Sequence, residues 1–270
     1  MNKKKIIFMG TPLIASDFLK ILLEHQYNIV AVFTQPARKQ NRGLEVKNSA
    51  VEDLANIKNI KIHRPTKLDD EAYEIINLFR PDLIIVMAYG LLIPKKILKC
   101  PKYGCINIHV SLLPRWRGAS PIEHTILNGD KESGISIIKM IEKLDAGPIL
   151  TQTKVQISEN INKDELTKQL TEKGKSLLIN FLPNYFKDNI QLIEQDEERV
   201  TYAKKINSKN RRINFNLPSM DIINQIRAYS NKPGAWFTYK NERIKIIRAK
   251  IISKKSVPSQ IISNQFELGC

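Results

Sequence analysis

Lys5-Ile6-Ile7-Phe8-Met9-Gly10-Thr11-Pro12-Leu13-Ile14-Ala15-Ser16-Asp17-Phe18-Leu19-Lys20-Ile21-Leu22 decides the fold class. Residues 6–9 are a continuous apolar run stopped by Gly10, the pattern of a strand buried on both faces. Pro12 then opens a helix on which Ile14, Phe18, Ile21 and Leu22 share one face. The alternation recurs outward. Residues 29–34 predict a second buried strand, and 69–79 a helix carried by Ala72, Ile75, Ile76 and Phe79. Residues 83–87, 105–109 and 135–140 predict three more strands. Strands alternating with helices predict an α/β fold, a Rossmann-like, doubly wound, mostly parallel sheet. A helix over about 164–186 closes the unit, with Pro183 expected to bend or end it.

Past that helix the pattern changes. Residues 190–203 are polar and read as a linker between a first domain, 1–189, and a second, 204–270. The second holds one helix (220–229) and then β runs at 235–239, 243–252 and 260–263, which predict a small β-barrel-like, OB-like domain.

The 270 residues carry 43 Lys and Arg against 27 Asp and Glu, a net charge of +16. Such a field draws polyanions towards the surface. A genome-wide lysine bias would also give a basic chain, but it would spread the charge evenly. Here residues 204–270 hold 14 basic and 3 acidic residues, net +11, while 1–203 hold 29 and 24, net +5. The second domain is therefore expected to bind nucleic acid, an ordinary solvated basic face being the alternative. Three cysteines cannot all pair and none has C-x2-C spacing, so reduced thiols and a cytosolic protein are expected. The apolar run after Lys3-Lys4-Lys5 is too short for a signal peptide, and no run of 18 apolar residues predicts a membrane span.

A dinucleotide site is not supported. Gly10 stands alone where G-x-G-x-x-G needs three glycines, and no G-x-x-x-x-G-K-[ST] occurs. No His, Cys and carboxylate cluster has metal-ligand spacing, so no metal is expected. The informative stretch is Cys105-Ile106-Asn107-Ile108-His109-Val110-Ser111-Leu112-Leu113-Pro114-Arg115-Trp116-Arg117-Gly118-Ala119. On a strand Asn107 and His109 project from the same face, at the carboxyl end where ligands bind open α/β sheets. Taken singly, His109 also fits a satisfied core histidine, and Asp145 in Leu144-Asp145-Ala146-Gly147 a turn residue.

Taken together, these segments resemble the folate-dependent formyltransferases, and within them the members that act on methionyl-tRNA. Asn107, His109, Ser111 to Pro114 and the Asp-x-Gly element at 145–147 carry the likeness. Ile7-Phe8-Met9-Gly10-Thr11-Pro12, Val32-Phe33-Thr34-Gln35-Pro36, Ala88-Tyr89-Gly90 and Val200-Thr201-Tyr202-Ala203-Lys204-Lys205 extend it along nearly the whole chain. The resemblance implies formyl transfer from 10-formyltetrahydrofolate to initiator methionyl-tRNA by a cytoplasmic monomer. Asn107, His109 and Asp145 would be catalytic, and Ser111, Leu112, Leu113 and Pro114 would line the folate site. The loop 34–48 would wrap the tRNA acceptor end through Arg38, Lys39 and Arg42. A structureless connection this long is uncommon in an α/β unit and often functional.

Two other readings stay open here. One is a sibling enzyme that formylates a sugar nucleotide, and the other is a catalytically silent tRNA-binding protein on the same scaffold. The family's pattern also implies roughly another 40 residues to complete the C-terminal barrel, so that domain is expected to be incomplete.

Overall fold

Ile6, Ile7, Phe8 and Met9 are wholly buried, because their strand lies at the middle of the sheet with layers packed on both faces. The structure is a computed structural model that describes residues 4–40, 45–252, 261–263 and 267–268. At 38–40, 45–46, 261–263 and 267–268 only the backbone is described.

The chain begins β1 (Lys5–Gly10), α1 (Leu13–Glu24) and β2 (Asn28–Phe33), then a hairpin of β3 (Arg38–Gln40) and β4 (Glu45–Lys47). It continues through α2 (Ala50–Ile57), β5 (Ile62–His63), α3 (Asp70–Phe79), β6 (Leu83–Met87), α4 (Lys95–Leu98) and β7 (Cys105–His109). Next come the short β8 (Arg117–Gly118), α5 (Pro121–Leu127), β9 (Glu132–Lys139), β10 (Ile149–Gln156) and α6 (Lys163–Tyr185). The remainder is β11 (Tyr202–Ala203), α7 (Ser219–Ala228), β12 (Ala235–Tyr239), β13 (Glu242–Ile246), β14 (Ile261–Ser263) and β15 (Glu267–Leu268).

Seven strands form the central sheet in the order β10-β9-β7-β6-β1-β2-β5. β5, β2, β1, β6 and β7 are mutually parallel, and β9 and β10 add an antiparallel edge. The doubly wound, mostly parallel sheet expected from the sequence is what the chain forms. One face carries the larger core, with Phe18, Leu19 and Leu22 of α1 and Leu166, Leu170, Leu178 and Leu182 of α6. α6 starts on a capping box in which Asn162 and Glu165 exchange side-chain and backbone hydrogen bonds, a device that contributes about 1 kcal/mol. It passes through Pro183 and ends two residues later. The opposite face packs Ile7, Met9, Ile84 and Val86 under α3 and α4. Over β7, β9 and β10 this second face is covered by chain segments 110–120 and 190–203.

Three expectations need correction. Residues 34–48 are not a structureless loop: β3 and β4 pair within them, with Arg38 opposite Lys47. The strand expected over 243–252 ends at Ile246, and Ile247 and Ile251 are exposed. Most consequentially, 190–203 is no free tether. Ile193 bridges Ile149 at the start of β10, Gln195 is buried, and β11 pairs in parallel with β8. Nor is the core divided there, since Ile213, Ile222, Ile226, Tyr229 and Phe237 belong to the same cluster as Ile122 and Ile126 of α5. Beyond α7 the described residues form two antiparallel pairs, β12 with β13 and β14 with β15. No helix among the described residues is long and apolar enough to cross a membrane.

Candidate active site

β7 ends on His109, and its pleat sends Asn107 and His109 out of the face that bears Val86 on the neighbouring strand. Asp145 reaches them from the connection between β9 and β10. Asn107 Nδ2 donates to Asp145 Oδ1 at 3.0 Å, and His109 Nδ1 stands 3.6 Å from Asp145 Oδ2. The second separation is too long for a hydrogen bond. Gly118 N donates to Asp145 Oδ2 at 2.9 Å, so both carboxylate oxygens are held from the β7–β8 segment.

The ring of His109 is fixed from its far side, where Nε2 lies 2.8 Å from the carbonyl oxygen of Trp116. A carbonyl can only accept, so Nε2 carries a hydrogen and Nδ1 is the nitrogen that faces the carboxylate. Trp116 presents that carbonyl from a left-handed backbone, φ 64°. Such a conformation persists only where its surroundings over-determine it. Its N–H donates to Thr201 Oγ1, its indole Nε1 donates to Asp130, and the Arg115 guanidinium lies over its ring.

Asp145 is left-handed as well, φ 48°. Two residues on, Gly147 passes so close to the end of β9 that a Cβ there would lie 1.8 Å from the Lys139 carbonyl oxygen. The glycine of the Asp-x-Gly element is thus required by the close approach that lets Asp145 fold back over the sheet. Gly147→Ala is expected to destabilise the protein by about 1–3 kcal/mol. A thermal melt would show this as a midpoint lowered by roughly 2–4 °C per kcal/mol; an unchanged midpoint would mean that the loop has room to move.

The four residues expected to line the folate site lie on the segment that follows β7. Ser111 and Leu113 are buried, and Ser111 Oγ donates to Arg115 O. Leu113 packs on Ile138 and Ile149, its N–H donating to Ser136 Oγ and its carbonyl accepting from Gln152. Only Leu112 and Pro114 are partly exposed. The segment props up the end of β7. A cleft beside Asp145 is lined by Leu91, Leu92, Ile93, Met140, Ile141 and Leu144, with the charged Glu142 and Lys143 also at its edge. Leu92 is 78% exposed and Leu144 52%, an apolar rim next to a carboxylate. The turn that delivers it is pinned at Tyr89, whose carbonyl accepts from Gln35 Nε2 at 3.0 Å and Thr11 Oγ1 at 3.1 Å. Burial pushes the Tyr89 phenol above its ordinary pKa, so it stays neutral. Ala88-Tyr89-Gly90, one of the segments that carried the family resemblance, immediately precedes this wall.

Of the basic residues expected to meet tRNA, Arg42 lies outside the described residues, and Arg38 and Lys39 are described by backbone alone. A second basic surface lies in the C-terminal part. Lys209, Arg212, Asn214, Asn216, Phe215 and Phe237 line a hollow, and Trp236 lies beneath the Arg243 guanidinium.

Among known proteins, the family model described as formyl transferase matches residues 4–182, and that of the formyl transferase C-terminal domain matches 205–269. The methionyl-tRNA formyltransferase of Pelagibacter ubique is 40% identical over 269 residues, covering 99% of this chain and 87% of that one. Its counterpart from Clostridium tetani is 42% identical over 253 residues, with 93% and 81% covered. In structure the chain resembles the N-formyltransferase of Helicobacter canadensis, solved with folinic acid and dTDP-3-aminofucose. The TM-score is 0.73 at 22% identity, with 97% and 93% covered. At that identity the likeness speaks for the fold.

Proposed function

This chain belongs to the formyl transferase family, among the methionyl-tRNA formyltransferases, and from that premise we propose how its residues work. It transfers the formyl group of 10-formyltetrahydrofolate to the α-amino group of methionyl-tRNA, the step that supports translation initiation. The convergence of Asn107, His109 and Asp145 carries the mechanism. As the neutral amine adds to the formyl carbon, negative charge gathers on the formyl oxygen. Asn107, which has a second amide hydrogen beyond the one given to Asp145, donates to that oxygen together with His109 Nδ1–H. Fixed donors of this kind are the main source of rate enhancement in acyl transfer. Asp145 sets the counter-charge for the imidazolium and takes the amine proton, directly or through one water. The adduct then collapses, the bond from the formyl carbon to the donor nitrogen breaks, and tetrahydrofolate leaves with that proton on its nitrogen.

The apolar side chains of Leu91, Leu92, Ile141 and Leu144 suit a flat folate ring. The division of labour we propose keeps 1–189 for catalysis and 204–270 for tRNA. Residues 190–203 are then a structural part of the first unit rather than a spacer. Initiator methionyl-tRNA, a cytoplasmic setting and a monomer complete the reading. The concentration of positive charge in 204–270 supports it, as does sequence identity near 40% to tRNA-dependent relatives.

Incubation with labelled 10-formyltetrahydrofolate is expected to label charged methionyl-tRNA and to leave an amino-sugar nucleotide unlabelled. The opposite result would overturn the substrate. Neutralising Arg38, Lys39 and Arg42 is expected to raise KM for tRNA and spare that for the folate donor. Each phosphate deprived of its cationic side chain should flatten the log–log salt dependence of tRNA binding by about 0.9, or about 0.7 on a single strand. An unchanged slope would make the β3–β4 hairpin a surface feature only.

A further inference from the structure

Gln195 comes from a polar stretch with no motif of its own, yet it is buried and every hydrogen-bonding position of its amide is used. Its Nε2 donates to the carbonyl oxygens of Asp145 at 2.8 Å and Gly147 at 2.7 Å. Its Oε1 accepts from Arg117 Nε at 3.0 Å and Nη2 at 2.8 Å. The orientation of the amide follows from chemistry, since the guanidinium only donates and the two carbonyls only accept. Arg117 is itself wholly buried, and its Nη2 also donates to Glu197 Oε1 at 2.8 Å. Arg117, and behind it Lys143, hold the exposed Glu197 carboxyl well below the usual carboxylate range. The guanidinium therefore keeps its counter-charge across the physiological pH range.

These bonds close a frame around one residue. The carboxylate of Asp145 is gripped by Asn107 and by Gly118 N, the residue after Arg117, while its peptide is gripped by Gln195. Asp145 is left-handed, a conformation disfavoured for a residue with a side chain unless its neighbours impose it. Asn107 and Gly118 hold only the side chain, and the N–H of the same peptide, on Ala146, makes one long bond of 3.3 Å to Lys143 O. The shorter bonds from Gln195 hold the carbonyl of that peptide and the carbonyl two residues on, and with them the direction in which the carboxylate meets His109.

We propose that Gln195, seated on Arg117, is a positioning residue for formyl transfer that sets the orientation of the Asp145 carboxylate. This rests on the role given above to Asp145. Gln195 touches neither substrate. It acts from the segment that runs on into β11.

The test is a double-mutant cycle on the full chain. Gln195→Glu keeps the size and the partner for Arg117 but turns carboxylate oxygen towards the carbonyls of Asp145 and Gly147. It is expected to lower kcat by about 10- to 100-fold, the scale of a small misplacement of a catalytic group. KM for 10-formyltetrahydrofolate and for methionyl-tRNA should stay near the parent values. Added to Asp145→Asn, it should cost little more, because the two act as one unit. A loss of kcat that adds in full to that of Asp145→Asn overturns the proposal, as does a parent-like kcat in Gln195→Glu. If Asp145→Asn itself keeps full activity, it is the catalytic reading that has failed. Should Gln195→Glu not fold, Gln195→Met, which keeps the volume and removes the donors, is read in the same way.

Discussion

His109→Ala is expected to lower kcat by about 10²–10³-fold, the cost of removing one preorganised donor from a developing oxyanion. It also takes away the group that carries the mobile proton between Asp145 and the formyl oxygen. The variant should lose some stability too. His109 is buried, and its Nε2–H is the partner of the Trp116 carbonyl. An oxygen left unpaired there costs about 1–3 kcal/mol. Steady-state rates with saturating folate donor and methionyl-tRNA, beside a thermal melt, separate the two effects. A variant with lowered midpoint and near-normal kcat would remove His109 from the chemistry.

Asp145→Asn is expected to lower kcat by about 10²–10⁴-fold, the range for a positioned acid or base. The substitution is nearly isosteric, so the cleft of Leu91, Leu92 and Ile141 keeps its shape and folate binding changes little. Three things fail at once. The imidazolium of His109 loses its counter-charge, the amine proton loses its acceptor, and one of two donors loses its oxygen. Both Asn107 Nδ2 and Gly118 N point at carboxylate oxygens, and a carboxamide has only one oxygen to offer. Equilibrium binding of tetrahydrofolate and single-turnover transfer measure the two sides. A parallel fall in binding and rate would mean that Asp145 holds the donor rather than the proton.

Four of the five parallel strands were plain in the sequence because buried strands read as apolar runs, while the two-residue β5 went unread. β6 and β7 begin and end where the runs do. Asn107 and His109 were legible for the same reason: strand periodicity fixes their common face. β10 went unread, since Ile149–Gln156 sits at the sheet's edge and alternates apolar residues with Thr, Gln and Lys. α2 and α5 were missed as well, being only 8 and 7 residues long. Gln195 left no local trace. It is one glutamine in a polar run, and its partners lie 50 and 78 residues away. The Trp116 carbonyl is beyond sequence reasoning in another way, since backbone oxygens are the same at every residue and only the fold selects one. The cleft wall was not legible, because nothing in Ala88-Tyr89-Gly90 or the residues after it shows that Leu91, Leu92 and Ile93 line a cleft beside Asp145.

The strut through Gln195 also has a place in time. A ribosome delivers this chain from its N-terminal side, and domains form as units while it emerges. β7 and the Asp145 turn are made long before Gln195, and Gln195 before α7 and β12, which cover the apolar side of α5. A nascent chain halted after β10 would already hold Asn107, His109 and Asp145, but with the turn at Asp145 unbraced and Ile122 and Ile126 bare on one side. The turn that carries Asp145 is therefore braced only once residue 195 has been made, late in synthesis.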